Sequence, residues 1–326
     1  MNTNLLSLIK LPDLLLARMY LRFFHEKNSL IIFNFHILYQ DLEEINLNLV
    51  DPQLGITVDH FRQFVEYYQN HDYSFISPND ILNGLNRNQK YVMITFDDGY
   101  FNNTYALPIL QKYNIPAVFF ITTSNVRDNK CFWWDVLYRE EIRLNGSIGK
   151  IKHKGDQLKA KTTEEIEKIL KTRFGEEAFH PVGDIDRPFT QAELRDISKK
   201  RNVFIGNHTN NHAILTNYSL DEMKSQIRSA QEYIYNWTGT SPNIISYPGG
   251  YYSDEVIKVS KEMGFQIGVS AEFKKNFLPI NPRNNSYMYL ARFDLGGESE
   301  PLKLCEIYRS DIIFYKWISN YLNKRY

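Results

Sequence analysis

The sequence predicts an α/β protein made of successive βα units, closed as a barrel or wound as an open parallel sheet. Two observations carry this expectation. Six short β-favouring runs alternate with helix-like segments along most of the 326 residues, which is the pattern of parallel strands joined by helical crossovers. Two polar clusters, Thr95-Phe96-Asp97-Asp98-Gly99 and His208-Thr209-Asn210-Asn211-His212, each follow such a run directly. Parallel α/β folds place their active sites there, beyond the carboxyl ends of the strands.

The strand candidates are residues 30–35, 91–96, 117–122, 203–206, 244–247 and 266–269, all rich in Val, Ile, Phe and Tyr. Helices are expected at about 59–70, 78–86, 103–113, 190–200, 219–237 and 253–263. Ser219 with Glu222 and Thr190 with Glu193 each form a capping-box pattern at a helix start. Residues at about 128–187 break the alternation: a Trp133-Trp134 pair is followed by Lys- and Glu-rich sequence, and Thr162-Thr163-Glu164-Glu165 opens a charged helix. We read this stretch as an insertion between two strands of a body spanning 28–326.

Composition narrows the function. Lys plus Arg and Asp plus Glu both number 38, so no global charge draws the chain to nucleic acid. With 43% hydrophobic and 23% charged residues, it is a folded protein rather than a disordered or polytopic membrane chain. The two cysteines, Cys131 and Cys305, cannot build a disulfide scaffold or a thiolate zinc cage. A metal here needs His and carboxylate ligands.

Residues 1–27 are Leu-rich, but Lys10, Pro12, Asp13, Arg18 and Arg22 interrupt them, leaving neither a membrane span nor a secretory pattern. Leu14, Leu15, Met19 and Phe23 are expected to line one face of an amphipathic helix that packs on the protein's own body or lies against a membrane surface. The expected location is cytoplasmic, with peripheral membrane contact as the alternative. The oligomeric state is left open.

The chemistry concentrates in the two strand-end clusters. Asp97 and Asp98 alone also suit a strand end followed by an Asp-Gly turn. His208 and His212, four apart, fall on one side of a helical turn and can reach one ion. Together the clusters supply two imidazoles and a carboxylate, a set that leaves coordination positions open, as catalytic metals require.

These residues carry a resemblance. Thr95-Phe96-Asp97-Asp98-Gly99 and His208-Thr209-Asn210-Asn211-His212 match the first two motifs of the NodB-type polysaccharide deacetylases, carbohydrate esterase family 4. Supporting similarity runs from about residue 30 to 295 and includes Phe35-His36, 115–120 and Tyr247-Pro248-Gly249-Gly250. The resemblance implies a distorted barrel of about seven βα units, possibly permuted, that binds a divalent metal through Asp98, His208 and His212. Zinc is the first expectation, with cobalt, nickel or manganese as alternatives. It also implies Asp97 as general base, a backbone N–H near Gly99 or Tyr100 as oxyanion donor, and hydrolysis of N-acetyl groups on a hexosamine-containing glycan. O-acetyl ester or other amide hydrolysis, and a non-catalytic glycan-binding protein, are the competing readings.

Two departures from the family pattern need replacements. The third motif usually carries an Arg where this chain reads Ile245-Ser246-Tyr247-Pro248. Arg292, read as the end of a late strand, is the candidate partner for Asp97. No His follows His212, so the usual late acid is missing; the resemblance to members with a permuted barrel, which carry a Tyr-His at the end of the first strand, implies His36 in its place, with a core or supporting histidine as the other reading. The loop Tyr247-Pro248-Gly249-Gly250 is expected to line the substrate groove, with Gly99 and Tyr100. Trp133-Trp134 suits either a sugar face or an anchor for the insertion.

Overall fold

In a parallel barrel successive side chains of a strand point alternately to the interior and to the surrounding helices, and this alternation places the site. The computed structural model describes residues 3–281, 285–297 and 300–312. The outer parts of both expected segments, residues 1–2 and 313–326, lie outside the described residues. Helix α1 (Thr3–Phe23) precedes strands β1 (Ser29–Phe35) and β2 (Ile37–Tyr39). Helix α2 (Leu42–Ile45), strand β3 (Gly55–Thr57), helix α3 (Val58–Gln69), strand β4 (Tyr73–Phe75) and helix α4 (Pro78–Asn83) lead to β5 (Lys90–Phe96). Next come α5 (Leu107–Lys112), β6 (Ala117–Ile121) and α6 (Thr123–Asp128), then α7 (Trp133–Arg143), α8 (Ile148–Leu158), α9 (Thr163–Phe174) and α10 (Gln191–Ser198). The chain continues through β7 (Val203–Asn207), α11 (Leu220–Thr238), β8 (Ile244–Ser246), α12 (Asp254–Glu262) and β9 (Ile267–Val269). It ends with β10 (Asn276–Phe277), β11 (Arg292–Asp294) and α13 (Pro301–Arg309).

Strands β1, β5, β6, β7, β8 and β9 lie side by side and parallel. The ring closes through β11, which pairs in parallel with β1, while Leu290 just ahead of it bridges Val269 of β9. The Leu290 N–H donates to the Gly268 carbonyl at 2.9 Å and its carbonyl accepts from Ser270 N–H at 2.9 Å. This is the distorted barrel that the resemblance implies, and it decides between the closed and open sheets that the strand pattern allows. The distortion sits where β4 pairs with the first half of β5 and β10 pairs antiparallel with the start of β1.

Leu30 and Ile32 on β1, Tyr91 and Met93 on β5, and Val118 and Phe120 on β6 share one buried cluster inside the ring. Their neighbours Ile31, Phe33, Val92, Ile94, Ala117 and Phe119 belong to another, packed with Phe61 and Phe64 of α3 and Tyr308 of α13. The inward phase continues upward as Asn34 and His36, Thr95 and Asp97, Ser246, and Arg292. Apolar side chains therefore fill the lower barrel and polar ones cap it at the carboxyl ends.

All six predicted strands are present, and the capping boxes at Thr162, Thr190 and Ser219 form. Strands β2, β3, β4 and β10 span three residues or fewer, too short for a period to show. The helix expected at 103–113 begins instead as a 3-10 turn, Phe101–Ala106, before α5. There the buried Asn102 and Asn103 spend their amides on the Ile185 and His36 carbonyls, at 2.9 and 2.6 Å. Arg292 opens β11 rather than ending a strand, because the preceding Leu290 pairs with β9.

Between α6 and α10, helices α7, α8 and α9 share an apolar core of their own that includes Val136, Ile151, Ile166 and Leu170. Helix α1 corrects the expected face. Of Leu14, Leu15, Met19 and Phe23 only Leu14 is buried, beside Ala17, while the other three are 55–69% exposed. Leu15, Met19 and Phe23 follow one another at i, i+4 spacing and form a stripe turned about 100° from Leu14. The ion pair of Arg18 with Glu306 (2.6 Å) fixes the Leu14 side against α13. Among the described residues no helix is long and apolar enough to cross a membrane.

Glu26, just after α1, ties this end of the barrel together. It accepts from Tyr73 Oη (2.6 Å), Lys90 Nζ (2.8 Å) and Arg309 Nη2 (2.8 Å). Burial alone would raise its pKa, but Arg309, Lys90 and Tyr73 outweigh it and hold the carboxyl at about 2. A folded-state pKa below the unfolded one adds stability above the unfolded value, lost as pH falls through the folded value. Glu26→Gln is expected to cost about 3 kcal/mol at pH 7. In urea denaturation the gap to wild type should narrow below about pH 4.5 and close near pH 2; a pH-independent gap would refute the assignment.

Candidate active site

The first cluster leaves β5 in a tight reversal. Asp98 and Gly99 have φ of 74° and 90°, the left-handed region that Asp tolerates and Gly favours. A Cβ on Gly99 would also stand 3.2 Å from Ile121 Cδ1. The Asp98 carbonyl accepts from Thr122 N–H at 3.1 Å, so the turn is tied to β6 and both carboxylates stay buried, 3% and 2% exposed.

The second cluster corrects the expected helical turn. Residues 208–214 are not helical, and Thr209 and His212 have φ of 64° and 52°. Thr209 Oγ1 accepts from Ala213 N–H at 2.7 Å, and the Asn207 side chain accepts from Thr209 N–H at 2.7 Å. These local bonds bend the loop so that both imidazoles converge on Asp98.

His208 Nε2 and His212 Nε2 lie 3.3 and 3.4 Å from Asp98 Oδ1. One ligand atom from each residue falls within 4.8 Å of the others. Asp98 Oδ1 is buried and, among the described residues, has no hydrogen-bond partner, although a buried carboxylate oxygen ordinarily has one. Ligands at ~2.1 Å in tetrahedral array stand about 3.4 Å apart, so the three side chains fit one divalent cation. His208 Nδ1 is 2.8 Å from the Ser246 carbonyl, and donation there turns the Nε2 lone pair inward. Burial pushes His212 down to about 3 against the pull of Asp98, which keeps its imidazole neutral, the form a metal requires.

Asp97 is held differently. Arg292 Nη1 and Nη2 donate to its two oxygens, each at 2.8 Å, and Ser246 Oγ donates to Oδ2 at 3.1 Å. Burial raises the Asp97 pKa, and Arg292 and His208 reverse the shift and hold it below the usual carboxylate range. Arg292 also donates to the Ser270 carbonyl (3.0 Å), Asn34 Oδ1 (3.1 Å), Thr95 Oγ1 (3.1 Å) and Ser246 Oγ (2.9 Å). A small residue at 246 leaves room for a guanidinium arriving from another strand. Ser246, Asn34 and Thr95 were not singled out from the sequence; their inward phase on predicted strands was the available signal.

A cleft of about 410 Å³ opens above these groups. Asn34, His36, Asp97, Asp98, His208 and His212 line its barrel side, and Trp133, Trp134, Tyr138 and Ile151 of the insertion line the other. His36 Nε2 lies 3.4 Å from Asn34 Nδ2.

The polysaccharide deacetylase family model matches residues 84–268, more than half of the chain. The chain belongs to the polysaccharide deacetylase family. Among curated deacetylase relatives, YxkH of Bacillus subtilis (strain 168), a candidate polysaccharide deacetylase, is 21% identical over 67% of this chain and 60% of its own length. The poly-beta-1,6-N-acetyl-D-glucosamine N-deacetylase of Staphylococcus aureus (strain N315) is 23% identical over 75% of this chain and 69% of its own. Thus the chain spans about 60 to 70% of these relatives. Among solved structures, the Streptococcus pyogenes deacetylase PplD in complex with acetate superposes with a TM-score of 0.59, at 18% identity, over 86% of this chain and 99% of that one. IcaB from Ammonifex degensii gives a TM-score of 0.56 at 14% identity, over 87% and 98%. These structures share the fold of this deacetylase family member.

Four expected substrate contacts are corrected. Tyr100, Tyr247 and Pro248 are buried and Gly99 packs on Ile121, so none lines the cleft; Gly249 and Gly250 do. The Tyr100 ring packs 4.3 Å from Phe132, and its hydroxyl donates to Asp135 Oδ2 at 2.6 Å. Tyr247 lies over Gly268, where a Cβ would meet its hydroxyl at 2.5 Å. Arg292→Met would strand a buried carboxylate, and the expected loss is about 3–5 kcal/mol at neutral pH by chemical denaturation. A loss below ~1 kcal/mol would show the pair to be expendable.

Proposed function

We propose that this chain is a divalent-metal-dependent hydrolase that removes N-acetyl groups from hexosamine units of a glycan and releases acetate. The observation that carries the proposal is the bare Asp98 oxygen between two imidazole nitrogens, with a second buried carboxylate beside it. Asp98, His208 and His212 would hold the cation, zinc by first choice for this donor set, with cobalt, nickel or manganese also compatible. When bound, it supplies Lewis-acid polarisation of the acetyl carbonyl and acidifies water.

The remaining roles belong to the chain's own groups. Asp97, ionised and held by Arg292, accepts the proton as water attacks the carbonyl carbon. The Gly99 N–H is committed to the Asp97 carbonyl at 2.9 Å and Tyr100 does not line the cleft, so neither of the expected backbone donors serves the oxyanion. His36, in the cleft wall, donates a proton to the departing nitrogen as the C–N bond breaks. The products are acetate and a free amino sugar. The name of the Staphylococcus aureus relatives, poly-beta-1,6-N-acetyl-D-glucosamine N-deacetylases, supports an N-acetylglucosamine polymer as substrate.

The test is acetate release from N-acetylated and O-acetylated oligosaccharides by zinc-loaded protein. Asp97→Asn should lower the rate about 10³-fold and His36→Ala about 10²-fold, both with zinc content unchanged. Full activity in Asp97→Asn would remove it as the base. Loss of zinc in His36→Ala would move His36 into the ligand set, and release from O-acetyl sugars alone would replace the amidase reading with an esterase.

A further inference from the structure

The insertion touches the histidine loop from outside the barrel. On α7 the Trp134 ring lies 4.5 Å from the His212 ring. On α9 the first-turn residues Thr163 and Glu164 meet the loop itself. Glu164 Oε1 accepts from Asn211 Nδ2 at 2.7 Å and from Gln226 Nε2 at 3.2 Å, while Oε2 accepts from Tyr218 Oη at 2.8 Å. Thr163 Oγ1 donates to the His212 carbonyl at 3.4 Å. Gln226, on α11, takes up the Asn211 N–H through its side chain at 3.0 Å and the Asn210 N–H through its carbonyl at 3.1 Å.

This support matters because the loop's backbone is unfavourable on its own terms. Thr209 and His212 both occupy the left-handed region, a genuine outlier for the β-branched Thr209, and such a conformation persists only where the surroundings over-determine it. The barrel accounts for the start of the loop, where the His208 N–H donates to the Ile121 carbonyl at 3.1 Å. Asn210 is tied there too, its carbonyl accepting from Ser124 N–H at 2.8 Å and its side chain from Thr123 Oγ1 at 3.0 Å, whereas Asn211 and the His212 carbonyl are held by α11 and the insertion. A carboxylate accepting from three neutral donors forms charge-assisted bonds, the stronger kind.

We propose that Glu164 is a positioning residue for the metal centre: by fixing Asn211 it sets the backbone that aims His212 at Asp98, so the insertion governs how tightly the barrel retains its cation. The inference rests on the metal reading given above. It makes the insertion part of the metal site's outer support as well as a wall of the cleft.

The experiment is a zinc titration of the metal-stripped full chain against a chromophoric chelator. Glu164→Ala is expected to weaken zinc binding about tenfold, as outer-shell substitutions do. Asn211→Ala should do the same, and the double variant should be no weaker than the worse single one, since both remove the same interaction. Glu164→Gln, which keeps the shape, should fall between Glu164→Ala and wild type. Glu176→Ala, at an exposed residue paired with Lys171 (2.7 Å), should match wild type. Wild-type zinc affinity in Glu164→Ala, or a drop in melting temperature of the metal-free chain with no change in affinity, overturns the inference while leaving the metal reading intact. A wild-type chain that binds no zinc overturns both.

Discussion

Two adjacent carboxylates, Asp97 and Asp98, are buried at one strand end, and neighbouring buried charges of one sign cannot both persist without separate compensation. The chain compensates Asp97 fully from within: a bidentate guanidinium and a hydroxyl occupy its oxygens. Asp98 receives no such treatment on Oδ1. It faces two imidazole edges instead, one of them held neutral by burial. On the proposed reading that asymmetry divides the pair into a proton acceptor and a cation ligand, and the surrounding architecture keeps the two apart in environment while one peptide apart in sequence.

The barrel meets this need through the period of two. Inward positions that are Leu30, Ile32, Tyr91 and Met93 low in the ring become Asn34, His36, Thr95 and Asp97 at its top. Arg292 comes from the strand that closes the ring, so the Asp97 clamp depends on closure between β9, β11 and β1. The insertion adds the opposite wall of the cleft and, through Trp134 and Glu164, contacts with the histidine loop.

Much of this was legible in the sequence because it follows short-range rules. The strands announce themselves as apolar runs, the helices by capping boxes at Thr190 and Ser219, and the two clusters by their place after strands. Arg292 was found because a missing cation at Ser246 demanded a substitute, though its strand position was misread: the pairing of Leu290 with Val269 is a long-range contact that no local pattern encodes. The histidine loop was read as a helical turn because four-residue spacing suits one; the positive φ at Thr209 and His212 goes with a local bond from Ala213 to Thr209 and a long-range one from Thr163 of the insertion to His212. Tyr100 and Tyr247 were assigned to the groove from their neighbours in sequence, whereas close packing against Phe132 and Gly268 turns both rings into the core.

The account stands on a single cation shared by residues from two distant segments. A crystal of the full chain grown with zinc, with anomalous data collected at the zinc edge, tests this most directly. The account predicts one strong peak within about 2.0–2.2 Å of Asp98 Oδ1, His208 Nε2 and His212 Nε2, with Asp97 still on Arg292. A map with no peak among these three atoms, or with zinc bound only elsewhere, would contradict it.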